Sequence, residues 1–124
     1  PYPPLFRAKS MPHKRVVPFN DAEEAWFWFI RSTRARMDGA RLSAQASNDT
    51  RPCEPDDLYR LVLNLRQRRL LRDDHLRVLA EYGWRESPPD PRLNEEERAL
   101  CLWDEALDRL TTPLVAKGIV FYDG

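Results

Sequence analysis

Apolar residues return along this chain at the three- and four-residue intervals of amphipathic helices, and no alternating stretch is long enough for a useful strand. The first helix is expected from Asn20, which is positioned to cap. Glu23 stands three residues on as in a capping box, and Phe19 sits where a hydrophobic staple would. Ala22, Ala25, Trp26, Phe29 and Thr33 share one face at the helical period, and Gly39 is the expected stop. Between Leu42 and Cys53 the residues become small and polar, which predicts a loop.

A second helix is predicted from Pro55, with Pro in the first turn and Asp56 and Asp57 complementing the helix dipole. Its apolar face is Leu58, Leu61, Val62 and Leu65. If that helix ran far past Arg68, Arg69 would point into the apolar face, so a break is expected at residues 69–72. Asp73 or Asp74 then caps a third helix, with Leu76, Leu79 and Ala80 inward and Gly83 as terminator. Arg77 and Glu81 form an i,i+4 pair on its outer side.

The proline-rich run 87–91 reads as a rigid connector. Asn94 is the expected cap of a fourth helix, with Glu95, Glu96 and Glu97 in its first turn. Its predicted buried face is Ala99, Leu100, Trp103, Ala106, Leu107 and Leu110. Pro113 should kink or restart it, and Lys117-Gly118 should end it. The pattern therefore predicts an all-α domain over residues 19–124: a compact bundle of about four helices with a helix-turn-helix-like central pair. An extended, basic, proline-rich arm is expected over residues 1–18, and a short apolar tail, Ile119 to Tyr122, at the other end.

At 124 residues the chain suits one domain with a core that needs no staples. Formal charge is zero, yet residues 1–80 carry 15 Lys+Arg against 10 Asp+Glu, and residues 81–124 carry 5 against 10. A basic body with an acidic end suits an anionic partner, head-to-tail self-association, or closure on itself. Proline at position 1 fits removal of an initiator methionine, and Met11 fits a start equally well. The first residues lack the charged and apolar regions of a signal peptide, and no apolar run approaches the ~20 residues that cross a bilayer. With two cysteines and no disulfide framework, the expectation is a cytoplasmic protein that does not enter the membrane.

The densest candidate chemistry is six arginines in eighteen residues: Arg60, Arg66, Arg68, Arg69, Arg72 and Arg77. Guanidinium groups suit phosphates and carboxylates. A third helix beginning with Asp73 and Asp74 would oppose a phosphate field, so it makes a poor recognition helix. The better face is on the preceding helix, where Arg60, Asn64, Gln67 and Arg68 lie away from the core, with Arg66, Arg69 and Arg72 nearby. Such a face would hold a nucleic-acid backbone without reading sequence. The competing reading pairs these arginines with the acidic fourth helix.

The other outlier is Trp26-Phe27-Trp28-Phe29-Ile30, because one stripe cannot bury five consecutive large residues. Either this helix is central to the bundle, or Phe27 and Trp28, with Arg31 nearby, form part of a partner surface. Cys53, Cys101, His13 and His75 supply zinc-ligand types, but no two lie closer than 22 residues, so no metal site is expected. No Gly-rich phosphate loop or catalytic pairing is apparent, so neither a catalytic residue nor a cofactor is predicted. The leading expectation is a non-catalytic interaction module that docks on a protein partner through Phe27, Trp28, Arg31, Arg60, Asn64, Gln67 and Arg68. The alternative is a nucleic-acid-associated regulator gripping phosphates with Arg60, Arg66, Arg68, Arg69 and Arg72.

Overall fold

The first three helices of this chain start where side chains reach back to orphan backbone amides, and the helix ends lie within a few residues of the expected places. A computed structural model of the chain describes residues 15–39 and 49–122. Residues 1–14 of the expected arm, His13 among them, and most of the expected loop lie outside the described residues. Among the described residues the fold is an all-α bundle of α1 (Ala22–Met37), α2 (Pro55–Gln67), α3 (Asp73–Arg85) and α4 (Glu97–Ala116). A 3₁₀ turn at Asn94–Glu96 leads into α4. Extended structure is slight: Arg15–Val16 (β1) pairs in parallel with Asp49–Thr50 (β2), and Phe19 bridges to Val120.

The cap of α1 is displaced by one residue from Asn20. The Asp21 carboxylate accepts the Glu24 amide at 2.8 Å, and Glu24 reaches back to the Asn20 amide at 2.7 Å. This register leaves Glu23 free to accept the indole N–H of Trp103 at 3.2 Å. Buried on α1 are Ala22, Ala25, Trp26 and Ile30, so Ile30 takes the place expected of Phe29, which is half-buried. α1 packs against α2, α3 and α4, and this central position is how a helix with apolar residues on every side is covered.

α2 follows the sequence pattern closely. Leu58, Leu61, Val62 and Leu65 are buried, and Asp57 accepts the Glu54 amide at 2.8 Å. The chain then breaks at Arg69, whose φ of 64° is left-handed. Neither aspartate caps α3. The cap is Arg72, whose amide donates to Nδ1 of His75 at 3.0 Å, with Asp73 and Asp74 in the first turn.

α3 is rotated from expectation: His75, Val78, Leu79, Tyr82 and Gly83 are buried, Leu76 is half-buried and Ala80 is exposed. Its position against both α1 and α4 covers two lines of residues rather than one stripe. Gly83 lies inside the helix, and the left-handed residue that ends it is Glu86, with φ 56°. Glu81 pairs with Arg85 at 2.7 Å rather than with Arg77, the better orientation for an i,i+4 pair.

α4 begins with its 3₁₀ turn instead of a cap at Asn94, and buries Leu102, Trp103, Ala106, Leu110 and Leu114. Ala99, Leu100 and Leu107, expected inside, are half-buried. Pro113 neither restarts nor ends the helix, which runs on to Ala116. Gly118, with φ 76°, then ends it as expected, where the Ile119 amide donates to the Leu114 carbonyl at 2.9 Å. The apolar tail docks on the start of the fold: Phe19 N–H donates to Ile119 at 2.9 Å, and Phe121 N–H donates to Phe19 at 2.8 Å.

Candidate docking surface

The arginines of the central pair are divided among local partners. Arg60 pairs with Asp57 at 3.1 Å and Arg66 with Asp73 at 2.8 Å, while Arg68 donates to Asn64 at 3.4 Å. Only Arg72 reaches the acidic fourth helix, at 3.9 Å from Glu105, and it also lies 3.3 Å from Asp74. Among the described residues Arg31, Arg69 and Arg77 make no ion pair, and all three are exposed. Arg60, Asn64, Arg66, Gln67, Arg69 and Arg72 line one open concavity. Arg68 lies apart from it, in a shallow site with Leu70 and Arg109.

Phe27 and Trp28 are half-buried. The Phe27 ring lies 5.6 Å from Trp103, and the Trp28 ring 5.1 Å from Phe19. Both rings therefore spend much of their area on the core, and the structure does not bring them together with Arg60, Asn64 and Gln67 in one concavity.

A second, apolar groove of about 890 Å³ was not expected from sequence. Its floor is α1, through Trp26, Phe29 and Ile30; one wall is α2, through Tyr59 and Leu63; the other is α3, through Leu76, Ala80 and Trp84. Both walls pack on the floor helix, yet α2 and α3 are not among the principal packing pairs of the bundle. Tyr59 is 55% exposed, Leu63 42% and Trp84 45%, so large apolar side chains on both walls meet solvent. The signal in the sequence was their surplus. Tyr59 and Leu63 fall outside the core stripe of α2, and Trp84 outside the buried lines of α3.

Trp84 is held in place. The Arg34 guanidinium lies over its ring, 4.6 Å from the centroid, bonds to the Trp84 carbonyl, and pairs with Glu86. A cation at the carbonyl end of α3 is also favoured by the helix dipole. An exposed indole fixed by its neighbours has little side-chain entropy left to lose on binding. Leu63 belongs to both concavities, so the apolar groove and the Arg face are continuous across the outer side of α2.

His75 is fully buried, with Nδ1 accepting the Arg72 amide, so Nε2 carries the proton and donates to Glu105 at 2.7 Å. Burial, and then the nearby Asp57 and Glu54 carboxylates, push the Cys53 thiol up to about 11, which keeps it protonated and a poor nucleophile. Cys101 is exposed on α4. Among the described residues no group of three or more His, Cys, Asp or Glu is placed to hold a metal ion. Among them, too, no helix is long and apolar enough to cross a membrane.

The hydrogen bond from His75 holds the Glu105 carboxyl below its ordinary 4.5, and hydrogen bonds from Arg92 hold Asp90 below its ordinary 3.8. Groups depressed in the folded state stabilise it fully above their unfolded values, and that contribution is lost as pH falls through the folded ones. Urea midpoints measured in steps from about pH 6 down to about pH 3 should therefore fall below about pH 4.5. Glu105→Gln should flatten part of that fall; an unchanged pH profile in the variant would show that the His75–Glu105 bond adds nothing. The chain matches no protein-family model, no curated protein and no solved structure.

Proposed function

We propose that the protein is a non-catalytic helical interaction module, cytoplasmic, that docks on a protein partner through the apolar groove walled by α2 and α3. The observation that supports this reading most is Trp84, an exposed indole clasped by Arg34 at the edge of a trough with apolar side chains on three sides. Fixed aromatic anchors in or beside such troughs commonly carry much of a binding energy. The Arg face of Arg60, Asn64 and Gln67 extends the surface, while Phe27 and Trp28 pack against the core outside both concavities.

A pull-down with the full chain, with and without nuclease, tests the reading. A protein captured by the wild type should be lost with Trp84→Ala and with Leu63→Glu, while the urea midpoint of Trp84→Ala shifts by no more than the equivalent of about 1 kcal/mol. Retention of every captured protein by both variants would sink the groove as the docking site. Capture that vanishes on nuclease treatment would favour the second reading, phosphate-backbone contact, which draws on the concavity shared by Arg60, Arg66, Arg69 and Arg72.

A further inference from the structure

We infer that the occupant of this groove is an acidic amphipathic helix of the partner protein, seated between α2 and α3 as a fifth helix; this rests on the docking reading above. Shape supplies the first argument. Leu76, Ala80 and Trp84 stand one turn apart along one wall, a span of about 12 Å at ~1.5 Å per residue. That length takes two turns of a guest helix, with anchors at i, i+3 or i+4, and i+7. Ala80 leaves a dip between Leu76 and Trp84 where such a knob can enter.

Backbone chemistry supplies the second. The walls and floor are helices whose amides and carbonyls are mostly bonded internally, so the trough has no strand edge to pair with an extended peptide. A helix satisfies its own backbone and can enter an apolar trough without leaving polar groups unpaired.

Charge decides the sign of the guest. On the α3 wall Arg85 is paired with Glu81, and Arg77 makes no ion pair among the described residues. Across Leu63, the adjoining concavity adds Arg60, Arg66 and Arg72, each in an exposed pair with a carboxylate, and Arg69, which makes no ion pair among the described residues. Carboxylates along the flanks of a guest helix would meet these guanidinium groups and displace or extend their weak exposed pairs. A second copy of this chain fits less well. Face-to-face pairing about a two-fold axis would bring the Arg77 and Arg85 guanidinium groups of both copies together along the groove, and the acidic α4 has already buried Leu102, Trp103, Leu110 and Leu114 in its own core. The chain's own arm, with Arg7, Lys9, Lys14 and Arg15, carries the same sign as the rim.

The test uses two labelled helical peptides of roughly 18 residues, long enough to hold helix. They are identical in their Leu and Phe anchors at i, i+3 and i+7, and differ in carrying Glu or Lys on the flanks. Fluorescence anisotropy with the full chain should show the Glu peptide binding about tenfold tighter or more, with the preference narrowing as salt is raised. Trp84→Ala should weaken the Glu peptide about tenfold, and Arg77→Glu should reduce its preference over the Lys peptide without moving the urea midpoint. Equal binding of the two peptides would overturn the acidic guest while leaving the groove a docking site. Binding of the Glu peptide that ignores Trp84→Ala would place it elsewhere on the arginines and overturn the inference, as would binding of neither peptide.

Discussion

Trp103→Ala should lower the free energy of unfolding by about 3–5 kcal/mol, the range for removing a fully enclosed large aromatic side chain. Trp103 is 1% exposed and is the largest of the fully buried side chains. It sits on α4 at the point where α1 and α3 converge: its ring lies 5.6 Å from Phe27 on α1 and 6.3 Å from Tyr82 on α3. Its indole N–H also donates to Glu23, so truncation removes a hydrogen bond as well as packing. Set against a typical total of ~5–15 kcal/mol, such a loss is a large share of the stability. Urea melts followed by circular dichroism give the number. Trp103→Phe should recover much of it, because a ring is kept against Phe27 and Tyr82. A loss below about 1.5 kcal/mol for the alanine variant would mean that the three helices close over the vacancy.

That convergence point shows what the sequence discloses and where it stops. α2 was legible because its four apolar residues form one stripe, bounded by Pro55 and by an arginine run that cannot continue it. The two-sided burial of α3 was not. A hydropathy period scores side chains, so it passes over Gly83, which has none, and over His75, which is polar but buried by its bonds to Arg72 and Glu105. Phe29 and Ile30 exchanged roles for a related reason: in five consecutive large residues every phase of the helical period finds support, and only the neighbours choose among them.

The site divides along the same line. The arginine concavity could be anticipated because the cations are close in sequence. The apolar groove depends on α2 and α3 each leaning on α1, a relation between elements that no local pattern encodes. The sequence held only a residue of it, in Tyr59, Leu63 and Trp84, apolar side chains for which the predicted core had no place. Such surplus apolar positions on otherwise well-explained helices mark where the groove lies. The arginines of the central pair found partners mainly within a turn or across the nearest bend.

Gly83→Ala should destabilise the fold by about 1–3 kcal/mol, against the ordinary rule that alanine improves a helix interior by about 0.5–1 kcal/mol over glycine. The reason is the crossing of α1 and α3. A Cβ at position 83 would stand 2.7 Å from Nε1 of Trp26, and 3.0 and 3.2 Å from Cγ1 and Cδ1 of Ile30. Ile30 can yield a little by turning its end, but the indole cannot turn cheaply, because its N–H is committed to the Leu79 carbonyl at 2.9 Å. Either the helices separate, or that hydrogen bond is lost inside the core and leaves a buried carbonyl one partner short. Thermal and urea melts should show the loss, and near-ultraviolet dichroism should show the changed setting of Trp26. Combining Gly83→Ala with Trp26→Phe should cost clearly less than the sum of the two single changes, since the smaller ring removes the overlap. A stabilised single variant would show that the two helices do not touch at this residue. Trp26 and Ile30 also form the floor of the groove, so a separation large enough to admit the methyl group should weaken the acidic peptide as well. Peptide affinity and stability would then fall together for Gly83→Ala, and separately for Trp84→Ala, where only the wall is changed.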